Sequence, residues 1–268
     1  MSLVTISRGS YHKGREVAEK VAEKIGYDCL GREFLIEASE QFNIPEVKLI
    51  SALDDAPGFF DQLTFGKDKF VAYIRNALLE RMSNDNIVYH GLAGQFFLRN
   101  VSHVLKVRVI SNRENRMQDR MERDGVSEKE AAKAVKKRDD TRKKWSLYFY
   151  GIEIDDPSLY DLIINVSDLT ADEAAQIISN TVQLPRYKKT AESEKQFNDL
   201  LIAARAKAAI VNSYPNATIA AKDGVVVVSK EGVLIQETTF EEKIKEALKG
   251  VKGVSKVVTK IWPVAEPY

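Results

Sequence analysis

The sequence predicts an α/β protein in which a parallel sheet lies between two layers of helices, followed by a smaller α+β unit. Three features carry that expectation. Residues 3–26 read as strand, loop and helix, because the apolar run Leu3–Ile6 is followed by a polar stretch and then by Val17, Ala18, Val21, Ala22 and Ile25 at helical spacing. Short apolar runs and helical segments then alternate as far as Val182, the pattern of strands joined by crossover helices. At Leu184–Lys189 the composition shifts to a short basic connector without apolar periodicity, which marks a domain boundary.

In order, Tyr27–Leu30 is a brief apolar run, and Gly31-Arg32-Glu33 opens a helix through Phe34, Leu35, Ala38 and Phe42. Pro45 restarts a helix carrying Val47, Leu49, Ile50 and Leu53, and the breaker cluster Asp54–Gly58 ends it. Residues 67–82 read as an amphipathic helix with Phe70, Val71, Ile74, Leu78 and Leu79 on one face. Asn86–Tyr89 is a buried strand running into the loop His90–Gly94, with a short apolar helix behind it. His103–Ile110 is a strong strand, Asn112–Lys144 a charge-rich helical region, Tyr160–Val166 a buried strand and Ala171–Val182 a helix. Beyond the connector come an Ala-rich helix over 194–212 and a hairpin with Asp223-Gly224 at its turn. A strand at Val233–Gln236, a helix over Phe240–Leu248 and a strand over Val254–Ile261 complete the chain.

Forty basic and thirty-nine acidic residues among 268 leave a formal charge of +1, so any anion site must be local and no nucleic-acid partner is expected. One cysteine, Cys29, excludes an internal disulfide and a multi-cysteine zinc site. The start lacks a charged region followed by a long apolar segment, and no run of about eighteen apolar residues occurs, so a cytoplasmic protein with no transmembrane segment is expected.

The loop after the first strand has the chemistry of a phosphate cradle. Gly9 and Gly14 enclose four residues, the glycine spacing of a P-loop, in which backbone N–H groups curl around phosphate at the positive end of a helix. An ordinary βα turn shares this spacing; the neighbouring cations Arg8, Lys13 and Arg15 favour phosphate. Where a P-loop continues with Lys and then Ser or Thr, this chain has Arg15, which can fork onto phosphate, and Glu16, which has no hydroxyl for a metal ion.

Residues 1–186 resemble the cytidylate kinase-like family of P-loop nucleoside monophosphate kinases. The resemblance rests on ISRGSYHKGREVAEKVAEKIG, Gly31-Arg32-Glu33, KVRVISNRENRMQDRMERDGVSEKEAAKAV, KKRDDTRKKW and DPSLYDLIINV. Residues 195–264, after a linker over 187–194, resemble a BON domain through AAIVNSYPNATIAAKDGVVVVSKEGVLIQ and GVKGVSKVVTKI. The first resemblance implies a P-loop NTPase fold with a helical lid, and a site for ATP with Mg2+ whose metal ligands stay unassigned. The second implies protein or phospholipid contact through residues 195–264. Carried over, Gly9, Ser10, Tyr11, His12, Lys13, Gly14, Arg15 and Glu16 would hold the donor phosphates, with Lys13 and Arg15 serving catalysis. Arg32 would face the acceptor phosphate, and Asp139 and Arg142 match the Asp-x-x-Arg of the lid, Asp139 toward the acceptor and Arg142 toward the transferring phosphoryl group. Cytidylate kinases proper have Asp-Gly-Arg where this chain has His90-Gly91-Leu92.

His90 reads equally as a site residue at a strand end and as a satisfied polar group capping the next helix, with Gly91 and Gly94 suggesting close backbone approach. In the helically spaced series Arg113, Arg116, Arg120 and Arg123, Arg116 is the candidate for the site, and Arg113 and Arg120 are assigned to a solvated face. Trp145, Tyr148, Phe149 and Tyr150 are read as an apolar anchor of the lid, and Arg186, Lys188 and Lys189 as a solvated linker. The activity expected is phosphoryl transfer from ATP to a nucleoside monophosphate, CMP or dCMP first. The alternatives are a nucleotide-binding sensor signalling through the C-terminal module, and a kinase of another small acceptor.

Overall fold

In the computed structural model, residues 2–42, 66–232 and 237–262 are described. The expected helix from Pro45, the breaker at Asp54–Gly58 and the strand at Val233–Gln236 lie outside them. The chain divides into two compact units, Met1–Phe59 with Met82–Thr190, and Phe60–Arg81 with Ala191–Tyr268.

The first unit is built on five parallel strands, β1 Leu3–Arg8, β2 Asp28–Leu30, β3 Ile87–His90, β4 Val104–Ile110 and β5 Leu162–Asn165, in the order β2-β3-β1-β4-β5. The central strand β1 is buried along its whole length, its apolar and small-polar run Leu3–Ser7 followed by the buried Arg8 at the carboxyl end. On one face, helix α1 (Tyr11–Ile25) packs Val17, Ala18, Val21 and Ala22 against Val4, Ile6, Val107 and Val109. A later helix, Ala171–Val182, shares that core. Each fully buried valine or isoleucine there contributes ~1.5–3 kcal/mol. Helix α2 is Phe34–Phe42, and helix α3, Gly66–Met82, belongs to the second unit up to Arg81. Short helix α4, Gly94–Phe97, sits on the opposite face of β1, where a Cβ on Gly94 would come within 3.1 Å of Thr5.

The charge-rich stretch after β4 forms two helices rather than one continuous region. Asn112 caps α5 (Arg113–Asp124) by accepting from the Asn115 N–H, and Gly125 ends it at φ 64°. Ser127 and Glu130 then form a reciprocal capping box at the start of α6 (Glu128–Tyr150). The same device, Thr170 with Glu173, starts α7 (Ala171–Val182), whose Ala174, Ala175 and Ile178 join the core with α1. Strand β5, expected to be buried, is an edge strand: only its β4 side is paired, and Ile163 is exposed. The basic connector is not wholly solvated either. Tyr187 is buried in the first unit's core, and Lys189 pairs with Asp85 at 2.8 Å, while Arg186 stays exposed.

The second unit holds α3, α8 (Ala191–Ile210), β6 (Thr218–Lys222), β7 (Val225–Glu231), α9 (Glu237–Leu248) and β8 (Lys256–Trp262). β6 and β7 form the expected hairpin, with Asp223 and Gly224 at φ 53° and 78°, the signature of a type I′ turn, and β8 adds parallel to β7. Val226, Val228, Phe240, Ile244 and Leu248 make its core. Burial on α3 is not confined to one face: Ala72, Tyr73 and Ala77 are buried with Phe70, Ile74, Leu78 and Leu79, and Val71 is only half-buried. Its Glu80 receives a bidentate pair from Arg205 of α8 at 2.5 and 2.7 Å. Among the described residues no helix is long and apolar enough to cross a membrane.

Candidate active site

The strand β1 leads into α1 through Gly9 and Ser10 alone, because the helix begins at Tyr11. The loop expected over Gly9–Arg15 is therefore a two-residue turn, and Lys13, Gly14, Arg15 and Glu16 stand in the first turns of α1. The glycines serve packing. A Cβ on Gly9 would lie 2.9 Å from the carbonyl oxygen of Val109, and one on Gly14 would lie 2.9 Å from Cγ of Arg8. Gly14 is what lets the side chain of Arg8, itself buried, pass beneath the helix. Arg15 is exposed and paired with Glu19 at 2.7 Å, Glu16 is exposed, and Lys13 reaches the carbonyl oxygen of Val166 at 3.4 Å. His12 is held below its ordinary pKa by partial burial and by the charges of Arg123 and Arg138.

At the carboxyl ends of β1 and β3 lies a cavity of about 350 Å³, where ligands bind in open α/β sheets. Its lining includes Arg8, Arg32, Arg120, Lys137, Arg138 and Arg142 and, among the described residues, no carboxylate. Phe34, Tyr89 and Trp145 form an apolar wall, and Thr141 supplies a hydroxyl. A second chamber of about 220 Å³ shares Arg142 and adds Gly9, Arg108, Arg116, Lys143, Asp139 and Asp155. Arg142 thus stands between the two.

Burial and the guanidinium groups of Arg8, Arg138 and Arg108 push Arg142 down to about 9, with Asp139 opposing. A guanidinium does not give up its proton in a protein, so the depression reflects first the cost of burying this charge and then the repulsion of its neighbours, both of which an anion beside it would relieve. The carboxylates nearby are already engaged. Asp139 accepts both terminal nitrogens of Arg116 at 2.7 and 2.9 Å, tying α6 to α5, and Arg116 also reaches the carbonyl oxygen of Gly9 at 3.5 Å. Asp155 accepts from Arg108 and pairs with Lys143 at 2.9 Å. Arg108 is buried and also donates to Ser7 Oγ and Tyr160 Oη, each at 3.2 Å.

His90 ends β3 and is buried, and it is Gly91, not His90, that lines the cavity. Burial first, then the charge of Arg8, pushes His90 down to about 4, so the ring is neutral at pH 7. Its Nδ1 has no hydrogen-bond partner among the described residues, and the ring lies against Gly31, whose Cβ would meet Cε1 at 3.0 Å. The close backbone approach expected at Gly91 and Gly94 is toward the ring of Tyr89: a Cβ on either would fall within 2.8 Å of it or its hydroxyl. Tyr89 Oη donates to the carbonyl oxygen of Leu92 at 2.8 Å.

The structure brings Arg32, Gly91 and Arg142 to the first cavity, and Gly9, Arg116, Asp139 and Arg142 to the second. Arg120, assigned to a solvated face, lines the first cavity while pairing with Asp124 at 3.3 Å. Trp145 anchors α6 among Phe149 and Tyr150, centroids 5.1 and 5.3 Å away, and also walls the cavity. Arg108 and Asp155 were missed by sequence reasoning. The available signal was Lys106 and Arg108 two apart within an otherwise apolar strand, which puts two cations on one face.

ATP fits this donor set through the clustered guanidinium groups, which suit polyphosphate, but the loop does not form the expected cradle of free backbone donors, because the Gly9 and Ser10 N–H groups both go to the carbonyl oxygen of Val109, at 2.7 and 3.2 Å. In the two chambers the described carboxylates, Asp139 and Asp155, are ion-paired and not free for Mg2+, and among the described residues no group of three His, Cys, Asp or Glu could hold a metal.

The model of the cytidylate kinase-like family matches residues 3–168. A cytidylate kinase of Thermoplasma volcanium is 34% identical over 101 residues, 37% of this chain and 53% of its own length, so the chain spans about half of that relative. One from Sulfolobus acidocaldarius is 29% identical over 146 residues, covering 54% of this chain and 74% of the relative. One from Archaeoglobus fulgidus is 25% identical over 185 residues, 69% and 97%. Among solved structures, an uncharacterized protein from Eubacterium ventriosum superposes with a TM-score of 0.53 at 20% identity, covering 69% of this chain and 99% of that one, a likeness of fold.

Proposed function

Because the chain belongs to the cytidylate kinase-like family, we propose that it transfers the terminal phosphoryl group of ATP to a nucleoside monophosphate, CMP or dCMP first. The observation that carries this reading is the cavity at the sheet's carboxyl end, with six cationic side chains and no carboxylate among its described lining. Phosphoryl transfer needs alignment and positive charge on the transferring oxygens far more than covalent help. ATP supplies the phosphoryl group. Arg32 and Arg8 then hold the acceptor phosphate, Arg142 between the chambers meets the charge that develops on the group in flight, and Arg138 and Arg120 neutralise the rest. Phe34 and Trp145 exclude water from that wall. Arg116 and Asp139 keep α5 and α6 paired, so the cations of both helices arrive together. Residues 195–264 supply, on this reading, a regulatory or interaction module that contacts protein or phospholipid.

A second reading, a nucleotide-binding sensor without turnover, draws on two observations: Arg15 is paired with Glu19 away from the cavity, and β3 ends in the neutral His90 instead of an acid. A coupled ADP-release assay across all nucleoside monophosphates, beside calorimetric titration of ATP and each acceptor, separates the two. Turnover with CMP or dCMP bears out the kinase, binding without turnover the sensor, and absence of binding removes both.

A further inference from the structure

A third cavity, of about 330 Å³, opens at the other end of the sheet, where β4 and β5 begin. That volume is within the range of small-ligand pockets. Its lining includes Arg99, Ser102, Lys106, Ser158, Asp161 and Arg186. Lys106 is the unusual member. It lies on an interior strand with only 9% of its surface exposed, and burying an ammonium is costly unless it is matched. Its match is Asp161, whose Oδ2 accepts from Lys106 Nζ at 3.0 Å and from the Lys106 N–H at 2.9 Å. Another Lys106 N–H goes to the carbonyl oxygen of Val104 at 3.0 Å. An ammonium has three donors, so one remains.

The one carboxylate in the described lining thus gives its Oδ2 to Lys106 and leaves only a long contact from Oδ1 for the two arginines. Arg186 is 4.0 Å from Asp161 Oδ1 and is steadied over the ring of Tyr187 at 4.9 Å. Arg99 feels the charge of Asp156, a residue outside the lining whose carboxylate already accepts from the Ser158 N–H at 2.8 Å. Two arginines on separate segments, a buried ammonium and two serine hydroxyls converge on one cavity. Guanidinium and ammonium groups set beside hydroxyls suit phosphate oxygens, which are charged acceptors.

We propose that this cavity is a second anion site, taking a small phosphate-bearing ion at the end of the sheet opposite the catalytic chambers. It shares no lining residue with those chambers.

Inorganic pyrophosphate is the probe, titrated calorimetrically into the full chain at low salt. The wild type should show two separable binding events. The double variant Arg99→Ala/Arg186→Ala should lose one of them, its affinity falling at least about tenfold, and keep the other. Arg142→Ala, in the catalytic cluster, should weaken the event that the double variant keeps. Both arginines are exposed, so the double variant should melt as the wild type does, which circular dichroism checks. A double variant that binds pyrophosphate with wild-type stoichiometry and affinity overturns the proposal, as does a wild type with a single event abolished by Arg142→Ala. Neither result bears on whether the chain phosphorylates nucleotides, and a chain inactive as a kinase could still bind pyrophosphate here.

Discussion

Replacing Asp139 with asparagine should pull stability and anion affinity in opposite directions. The carboxylate holds Arg116 through two bonds of 2.7 and 2.9 Å, with 36% of the Asp139 side chain exposed. Charge-assisted hydrogen bonds contribute ~1.5–3 kcal/mol each when shielded, and this degree of exposure brings the pair down to about 1–2 kcal/mol in all. At ~2–4 °C per kcal/mol for a domain of this size, the melting temperature of the variant should fall by about 2–8 °C. The same carboxylate offsets the repulsion felt by Arg142. Removing a unit charge roughly 7 Å from a bound phosphate, at an effective dielectric near ~20, changes the interaction by about 2 kcal/mol, halved by salt. Pyrophosphate and ATP should therefore bind about fivefold more tightly by calorimetry, while thermal melting shows the loss of stability. If affinity falls together with stability, Asp139 orients the cations rather than neutralising them, and the electrostatic reasoning fails.

Arg142→Ala should lower turnover with the best acceptor by about 10²-fold while weakening ATP and pyrophosphate binding far less; a purely ground-state role would raise Kd for ATP by as much as turnover falls. His90 gives a pH signature. Its folded value of about 4 lies below the ordinary 6.5, so the unfolded chain takes up a proton that the folded chain refuses as pH falls from 6.5 toward 4. Stability should drop across that window by up to about 3 kcal/mol, from 1.36 kcal/mol per pH unit, and His90→Gln should flatten it in urea titrations at stepped pH. Gly14→Ala should force the Arg8 side chain aside, since the added Cβ would sit 2.9 Å from Arg8 Cγ. A cost of ~1–3 kcal/mol and weaker pyrophosphate binding are expected, and unchanged binding would take Arg8 out of the site.

Local signals were enough to predict most of the elements. The α7 boundaries follow from Thr170 and Glu173 at the start and the apolar spacing within, and the Asp223-Gly224 hairpin from residues that tolerate positive φ. The break between α5 and α6 was equally written in Gly125 and Ser127, although the run of charges obscured it. These depend on neighbours a few positions apart, which is the range over which a sequence speaks directly. Strand order was beyond that range: β5 has the composition of a buried strand, and only its place at the edge of the sheet exposes Ile163. The site lay further out still. Arg8, Arg32, Arg108, Arg120 and Arg142 come from five different segments; the first loop and the family resemblance pointed to Arg8, Arg32 and Arg142, whereas Arg108 reads as one charge in an apolar strand and Arg120 as one of a helical row interleaved with acids. Which acids are spent on which arginines depends on through-space distances of a few ångströms, and those exist only once the sheet and the two lid helices have packed.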